Sequence, residues 1–222
     1  MDTVLILIRH GETEWNRDGR WQGHADVPLS ELGREQARRL AARARAEGWR
    51  FDHIYTSDLS RALETAQIVG AALGMAPAPL LELREINLGT WSGLNRDEIA
   101  ARYAEDWALM QAGQDIRRGG GESFADLQQR VVRVLEQLIR EHPGQRLGIF
   151  THGGVIRALL AHIQRIGWEQ IKLLHRIENT SITTLSAGPA GWRIKQINDI
   201  AHLEGLEPAV DVMAPSGEAH NT

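Results

Sequence analysis

The 222-residue chain contains no cysteine. This absence excludes disulfide bonds, thiol nucleophiles and thiolate metal ligands. The chain also lacks a strong excess of positive or negative residues, because its formal net charge at pH 7 is only -4. We therefore expect no nucleic-acid partner and no anionic membrane partner, and any anion that the protein recognises must be met by a local group of basic residues.

Long hydrophobic runs are absent as well. The first apolar run, Val4 to Ile8, is closed by Arg9 and is preceded by Asp2 instead of a basic stretch. It fits neither a signal peptide nor a membrane span, so we expect a cytoplasmic protein. The nine histidines show no HExxH spacing, and without cysteine we predict neither a metal site nor a cofactor.

Short apolar runs alternate with helical patterns along the first two thirds of the chain. The predicted strands are Val4 to Ile8, Phe51 to Tyr55 and Leu147 to Phe150. The predicted helices are capped by Ser30, Asp58 and Ser123 and end near Gly48, Gly74 and His142, and a further helix covers Val155 to Ile163. Two late strands are predicted at Ser181 to Leu185 and Trp192 to Ile197.

This alternation predicts an α/β fold, a three-layer sandwich with a mostly parallel central sheet and helices on both faces. We expect one catalytic domain over residues 1–207, in which about residues 86–121 form an insertion that covers the active site. The glycines Gly119 to Gly121 within it are interpreted as a hinge or a helix entry. Residues 208–222 are polar and are expected to form a flexible tail.

Each of the three predicted strands ends in a basic, polar loop. These loops contain Arg9 and His10, then Arg61, then His152. Because ligands of such folds bind outside the carboxyl ends of the strands, we expect the loops to converge at one edge of the sheet. Two arginines and two histidines without an acidic cluster are suited to an oxyanion, and phosphate matches the paired donors of arginine.

The same residues carry a family resemblance. The segment from Arg9 to Asn16 reads RHGETEWN and resembles the RHGET(x)WN signature of the histidine phosphatase superfamily, whose members include cofactor-dependent phosphoglycerate mutases. Further segments are similar to family motifs in family order: Gln22 to Ser30, Thr56 to Ala66, Leu83 to Gly89, Gly121 to Ser123 and Thr151 to Gly154. An RHG triplet alone is a weak signal, but the ordered set is specific.

The resemblance implies a role for each matching residue. His10 is implied as the nucleophile, with Arg9, Arg61 and His152 as the phosphate clamp, and Glu85 as the general acid. The resemblance also implies a second group of residues at the substrate or phosphate: Asn16, Gln22, Gly23 and Gly153. Competing acids close to the motifs are Glu12, Glu14 and Glu82.

The predicted function is a metal-independent phosphatase that hydrolyses small phosphomonoesters through a phosphohistidine intermediate. Its partner is then a small phosphorylated metabolite, and the protein is expected to be a monomer or a homodimer. The alternative enzyme is a cofactor-dependent phosphoglycerate mutase, but a short segment between Gly93 and Gly121 and the sequence from His152 to Arg157 favour hydrolysis. A non-catalytic phosphate-binding protein is the remaining alternative.

Two pairs of residues are weaker candidates for the pocket. Trp21 and Trp91 lie beside motif residues and are the tryptophans that we expect to line it. Asn198 and His202 resemble late residues of phosphoserine phosphatase relatives, in which such residues approach the substrate.

Overall fold

A computed structural model describes residues 1–174 and 176–206, apart from the side chains of residues 172 and 173. Its centre is a six-stranded sheet in the order β3-β2-β4-β1-β5-β6. The strands are β1 (Thr3–Arg9), β2 (His53–Thr56), β3 (Ala78–Pro79), β4 (Arg146–Thr151), β5 (Ile182–Gly188) and β6 (Gly191–Asp199). The first four in this order are mutually parallel, and β5 and β6 add an antiparallel edge. The predicted mostly parallel sheet is confirmed, while the predicted tail at 208–222 lies outside the described residues.

Strand β1 is the central element, with β4 parallel on one side and β5 antiparallel on the other. Its apolar run is continuous because both of its faces are covered. Leu5 and Leu7 enter one hydrophobic core, and Ile6 and Ile8 enter the other. Complete burial of such a side chain contributes about 1.5–3 kcal/mol, so this short strand anchors both cores.

Helices cover both faces of the sheet. They are α1 (Glu14–Arg17), α2 (Glu31–Ala46), α3 (Ser60–Leu73), α4 (Arg96–Arg102), α5 (Ala104–Gln111), α6 (Phe124–Glu141) and α7 (Gly153–Gln164). Helices α2 and α3 pack together over one face, and α6 and α7 pack over the opposite face, which gives the predicted three layers. Among the helices that the structure describes, none has both the length and the apolar character needed to cross a bilayer.

Helix boundaries test the capping predictions. Ser30 Oγ accepts a hydrogen bond from Gly33 N over 3.0 Å, and Ser123 Oγ accepts one from Asp126 N over 3.1 Å, as predicted. Asp58 was expected to cap α3, and this prediction is wrong. The residue before α3 is Leu59, without a side-chain cap, and the Asp58 carboxylate instead pairs with Arg84.

The segment 86–121 folds against the loop that follows α1. Trp21 N donates to Leu94 O over 2.9 Å, and Gly93 N donates to Trp21 O over 2.7 Å. The Trp21 and Trp91 rings meet edge to face with centroids 6.0 Å apart. Trp91 is completely buried in this contact, so it belongs to the core and the expectation that it lines the pocket is wrong.

Gly119 and Gly121 are closely packed against the backbone of the segment 87–89. A Cβ on Gly119 would lie 2.6 Å from Leu88 O, and one on Gly121 would lie 2.2 Å from Asn87 O. A side chain does not fit at either position, so these glycines are explained by close backbone approach. Gly121 lies two residues before Ser123, the N-cap of α6, as the helix-entry interpretation expects.

Candidate active site

His10 and His152 follow the neighbouring parallel strands β1 and β4. Arg9 and Thr151 are paired in register, so the next residue of each strand emerges at the same edge of the sheet. The ring centroids of the two histidines are 5.2 Å apart. The predicted convergence of these two loops is therefore present in the fold.

The His10 imidazole has a defined tautomer and a defined charge. Its Nδ1 lies 2.6 Å from Gly11 O, which can only accept a hydrogen bond, so the proton is on Nδ1 and Nε2 carries the lone pair. Burial and the charges of Arg61 and Arg9 hold the His10 pKa well below its ordinary value, despite the opposing hydrogen bond to Gly11. The ring is therefore a neutral base at physiological pH.

Arg61, near the start of α3, combines a structural and an electrostatic role. Its Nη1 donates to Ala25 O and its Nη2 to Gly23 O, both over 2.8 Å. Its Nε is buried without a hydrogen-bond partner among the described residues. Burial lowers the Arg61 pKa to about 10, opposed by the charges of Glu85 and Asp26, so the guanidinium remains cationic at neutral pH.

Arg9 is the last residue of β1 and directly precedes His10. Its Nη1 donates to Ile177 O, and its side chain packs beside the beginning of α7. A Cβ on Gly153 would lie 3.5 Å from Arg9 Nε, which places Gly153 next to the guanidinium. Arg9, Arg61 and both histidines thus form one compact basic group.

His152 is completely buried and is oriented by Ser57, a residue to which the sequence analysis gave no role. Its Nε2 lies 2.8 Å from Ser57 Oγ, while Nδ1 has no partner within the described part of the chain. Burial, followed by the charges of Arg61, His10 and Arg9, holds the His152 pKa well below its ordinary value. The ring is therefore neutral, and since Ser57 Oγ accepts from Leu59 N, its hydroxyl can donate to Nε2, which leaves the ring proton on Nδ1 as a donor.

Glu85 reaches the site across the beginning of α7. Its Oε2 accepts from Gly154 N over 3.0 Å, and its Oε1 accepts from Ile86 N over 2.9 Å. Gly154 leaves space for this carboxylate, because a Cβ there would lie 2.2 Å from Glu85 Oε1. Two backbone donors therefore fix a buried carboxylate next to His152.

The three competing acids have other surroundings. Glu12 is buried, but its Oε1 accepts from Ser30 Oγ over 2.7 Å behind the site. Glu14 pairs with Arg17 on the surface, and Glu82 is exposed. Of the four carboxylates considered, Glu85 is the one held at the beginning of α7.

Of the predicted substrate-pocket residues, Asn16 lies in α1, and Gln22 and Gly23 lie in the loop that follows it. Asn16 is buried and its Oδ1 accepts from Thr13 N over 3.1 Å, which turns the Nδ2 donors away from this cap. Gly23 has φ +52°, a conformation that favours glycine, and presents its carbonyl to Arg61. Gln22, beside it, is buried with an Oε1 that has no partner among the described residues.

A loop of residues 176–181, which we call the support loop, was not foreseen from the sequence. Thr180 N lies 3.0 Å from Arg9 O and 3.2 Å from His10 O, and Asn179 Nδ2 donates to His10 O over 3.0 Å. Thr180 has φ +53°, which is unusual for a β-branched residue. The support loop therefore fixes the backbone of Arg9 and His10. No local sequence pattern predicts this contact.

Asn198 and His202 contact the support loop. Asn198 Oδ1 accepts from Glu178 N over 2.8 Å, and His202 Nε2 lies 2.9 Å from Thr180 Oγ1. Burial and the charge of Arg43 lower the His202 pKa to about 4, so this ring is neutral. Both side chains are thus engaged in hydrogen bonds with the support loop.

The arrangement as a whole presents two guanidinium groups, two neutral imidazoles and one carboxylate. Fixed cationic and neutral donors of this kind match the oxygens of a phosphoryl group. Over residues 1–174 and 176–206, no three histidine, aspartate or glutamate side chains come together as metal ligands. The two guanidinium groups and the neutral His10 ring support phosphate chemistry at His10.

The chain is similar to several known proteins. The model of the histidine phosphatase superfamily (branch 1) matches residues 5–200. A phosphoglycerate mutase-like protein 4 from Arabidopsis thaliana is 37% identical over 205 residues, 90% of this chain and 86% of the relative. A metal-independent phosphoserine phosphatase from the same plant is 34% identical over 208 residues, 92% of this chain and 84% of the relative.

A solved structure is also similar. A phosphoserine phosphatase mutant from Entamoeba histolytica, in complex with phosphoserine, superposes with a TM-score of 0.81 at 29% sequence identity. The match covers 90% of this chain and 99% of that one. The fold described above is therefore shared by a protein that binds a phosphorylated amino acid.

Proposed function

Because the chain belongs to the histidine phosphatase superfamily (branch 1), we propose that it is a phosphatase that hydrolyses small phosphomonoesters through a phosphohistidine at His10. The proposed reaction uses no metal ion. The observation that carries it is the His10 ring, which is neutral and fixed through Nδ1 between Arg9, Arg61 and His152. A phosphate-binding protein needs the arginines, but it does not need a basic Nε2 together with the buried carboxyl group of Glu85.

In the first half-reaction, His10 Nε2 attacks the phosphorus atom. The Nε2–P bond forms, the bond from phosphorus to the ester oxygen breaks, and Glu85 gives its proton to the departing alkoxide. Arg9, Arg61 and the Nδ1–H group of His152 donate to the equatorial oxygens, over which the charge is spread. If oxyanion-hole measurements transfer, each such donor lowers the barrier by ~2.7–4 kcal/mol.

In the second half-reaction, water attacks the phosphohistidine. Glu85, now a carboxylate, takes a proton from the water as its oxygen bonds to phosphorus, and the Nε2–P bond breaks. Inorganic phosphate leaves, and both side chains return to their starting forms. One carboxyl group therefore serves both steps.

The substrate proposed is a small phosphorylated metabolite with an alcohol leaving group. The names of the relatives, a phosphoserine phosphatase and a phosphoglycerate mutase-like protein, support small phosphate esters of this kind. They also keep a phosphoglycerate mutase as the second candidate. A mutase would return the phosphoryl group from His10 to another hydroxyl group before water reached it.

The deciding experiment follows two products at once. The purified protein is incubated in EDTA with 3-phosphoglycerate, phosphoserine and 4-nitrophenyl phosphate, and both free phosphate and phosphoglycerate isomerisation are measured. Phosphate release with little isomerisation supports the phosphatase. Isomerisation without phosphate release would overturn it in favour of the mutase.

Two variants separate catalysis from binding. His10→Ala removes the nucleophile, so we expect loss of turnover and of the acid-labile phosphoenzyme. His162→Ala changes an exposed histidine near the end of α7 and should leave both unchanged. Phosphate binding without turnover in the parent protein would instead indicate a non-catalytic phosphate-binding protein.

A further inference from the structure

One side chain of α6, Arg130, makes three hydrogen bonds to the backbone that carries Glu85; His24 Nε2 lies 2.8 Å from Glu85 O, and Thr151 Oγ1 donates to Leu83 O over 2.8 Å. We call residues 82–87 the acid loop. Arg130 Nη1 donates to Glu82 O over 2.7 Å and to Arg84 O over 2.9 Å, and its Nη2 donates to Glu85 O over 3.2 Å. Three carbonyls of one short loop thus converge on one guanidinium.

Glu122 holds Arg130 in place and also touches the acid loop directly. Its Oε1 accepts from Arg130 Nε over 2.9 Å, and its Oε2 accepts from Arg130 Nη2 over 2.8 Å. The same Oε2 accepts from Asn87 N over 2.8 Å. The five N–H donors of the guanidinium are therefore all used, three on the loop and two on Glu122.

This cluster is well placed to control the Glu85 carboxyl group. Glu85 is linked to α6 at its carbonyl and to α7 at its carboxylate, where Oε2 accepts from Gly154 N. A shift of the acid loop would move the carboxyl group relative to the leaving oxygen. Misplacement of a catalytic group by about 1 Å can cost ~10²-fold in rate.

We propose that Arg130, braced by Glu122, is a positioning residue that sets the Glu85 carboxyl group for proton transfer to the leaving alcohol. This proposal rests on the role assigned to Glu85 in the proposed function. Arg130 touches backbone carbonyls and Glu122, so it acts through Glu85 and not on the substrate. Lysine cannot replace it, because an ammonium group has three donors and no planar pair.

The test uses the ratio of two activities in the same protein. Glycerol 2-phosphate has a poor leaving group that needs protonation, while the leaving group of 4-nitrophenyl phosphate needs little. For Arg130→Gln we expect kcat/KM for the glycerol ester to fall by ~10–100-fold relative to the aryl ester. The ratio does not depend on the fraction of folded protein, so poor folding of a variant cannot imitate the effect.

A double-mutant cycle then asks whether Arg130 acts through Glu85. In the Glu85→Gln background, Arg130→Gln should not change the ratio of the two activities further, because the acid that it positions is already absent. Arg130→Lys and Glu122→Gln should lower the ratio in the same direction. Arg133→Gln, an exposed arginine on the same helix, is the matched control and should leave the ratio unchanged.

The outcomes separate this inference from the proposed function. If Glu85→Gln lowers the ratio and Arg130→Gln reduces both activities equally, Arg130 has only a structural role and the inference is refuted. An additive effect of the two changes on the ratio refutes it as well. If Glu85→Gln itself reduces both activities equally, the acid is another residue and the proposed role of Glu85 fails first.

Discussion

Replacing Arg61 with lysine keeps a basic residue near the start of α3 but removes the planar guanidinium. In the structure this group already holds Gly23 O and Ala25 O over 2.8 Å each while facing the two histidines. One ammonium group cannot bind both carbonyls and a phosphoryl oxygen in the same geometry. We therefore expect Arg61→Lys to damage catalysis and stability together.

The magnitude follows from these contacts. Loss of one donor to the transition state costs ~2.7–4 kcal/mol, which is about 10²–10³-fold in kcat/KM. Each buried carbonyl left without a partner destabilises the fold by about 1–3 kcal/mol. Burial already lowers the Arg61 pKa to about 10. Because a lysine ordinarily titrates about two units or more below arginine, the same burial should make its residual activity decline as pH rises above neutrality.

The assay is kcat/KM for 4-nitrophenyl phosphate from about pH 6 to about pH 9, with thermal unfolding of the same samples. Arg38→Lys, on the exposed side of α2, is the matched control and should behave as the parent protein does. An Arg61→Lys enzyme that stays within threefold of the parent at every pH would refute the reasoning. The planar donor array would then not be required.

Four further predictions follow from the same site. Ser57→Ala removes the hydroxyl that lies 2.8 Å from His152 Nε2, so we expect kcat to fall by ~10-fold or more. Ser57→Thr should restore part of the lost activity. An unchanged kcat in Ser57→Ala would contradict the role of Ser57 in orienting His152. Gly154→Ala places a Cβ 2.2 Å from Glu85 Oε1, so hydrolysis of alkyl esters should fall more than that of aryl esters, and equal losses would argue against Glu85. Burial keeps His10 and His152 unprotonated in the folded state, whereas unfolded histidines bind protons below about pH 6.5. Below that pH, the free energy of unfolding should therefore fall by up to ~1.4 kcal/mol per pH unit for each of the two histidines. Urea titrations in which the free energy of unfolding does not decline between about pH 7 and about pH 5 would contradict this prediction. Finally, EDTA should leave turnover unchanged and vanadate should inhibit as a mimic of the five-coordinate transition state; activity that is lost in EDTA and restored by one divalent ion would contradict the metal-free mechanism.

Much of the site could be predicted from the sequence because its residues follow strands with strong local signals. The apolar runs before Arg9 and before Thr151 are recognisable without any tertiary information. Parallel pairing then brings the residues that follow them, His10 and His152, to one edge. Predicting that His10 and His152 lie at one edge of the sheet required only that the two strands be parallel.

The predictions that were wrong depend on contacts between distant residues. Asp58 has the right residue type for a cap, but Arg84 competes for its carboxylate from 26 positions away. Trp91 is close to motif residues in sequence, yet its ring turns toward Trp21 and away from the solvent. The positive φ of Thr180 gives no sequence signal either, because glycine or asparagine would be the expected residue.

The central place of β1 has a consequence for how the protein is made. Val4 pairs with Arg146, Ile8 pairs with Ile182, and the backbone of His10 is bonded to the support loop near residue 180. Strand β1 is therefore synthesised well before the strands with which it pairs, and contacts of such sequence separation form slowly. His10 acquires its neighbours across the sheet only after β4, the support loop and β5 have been made, so a chain terminated before these elements carries the RHG motif without them.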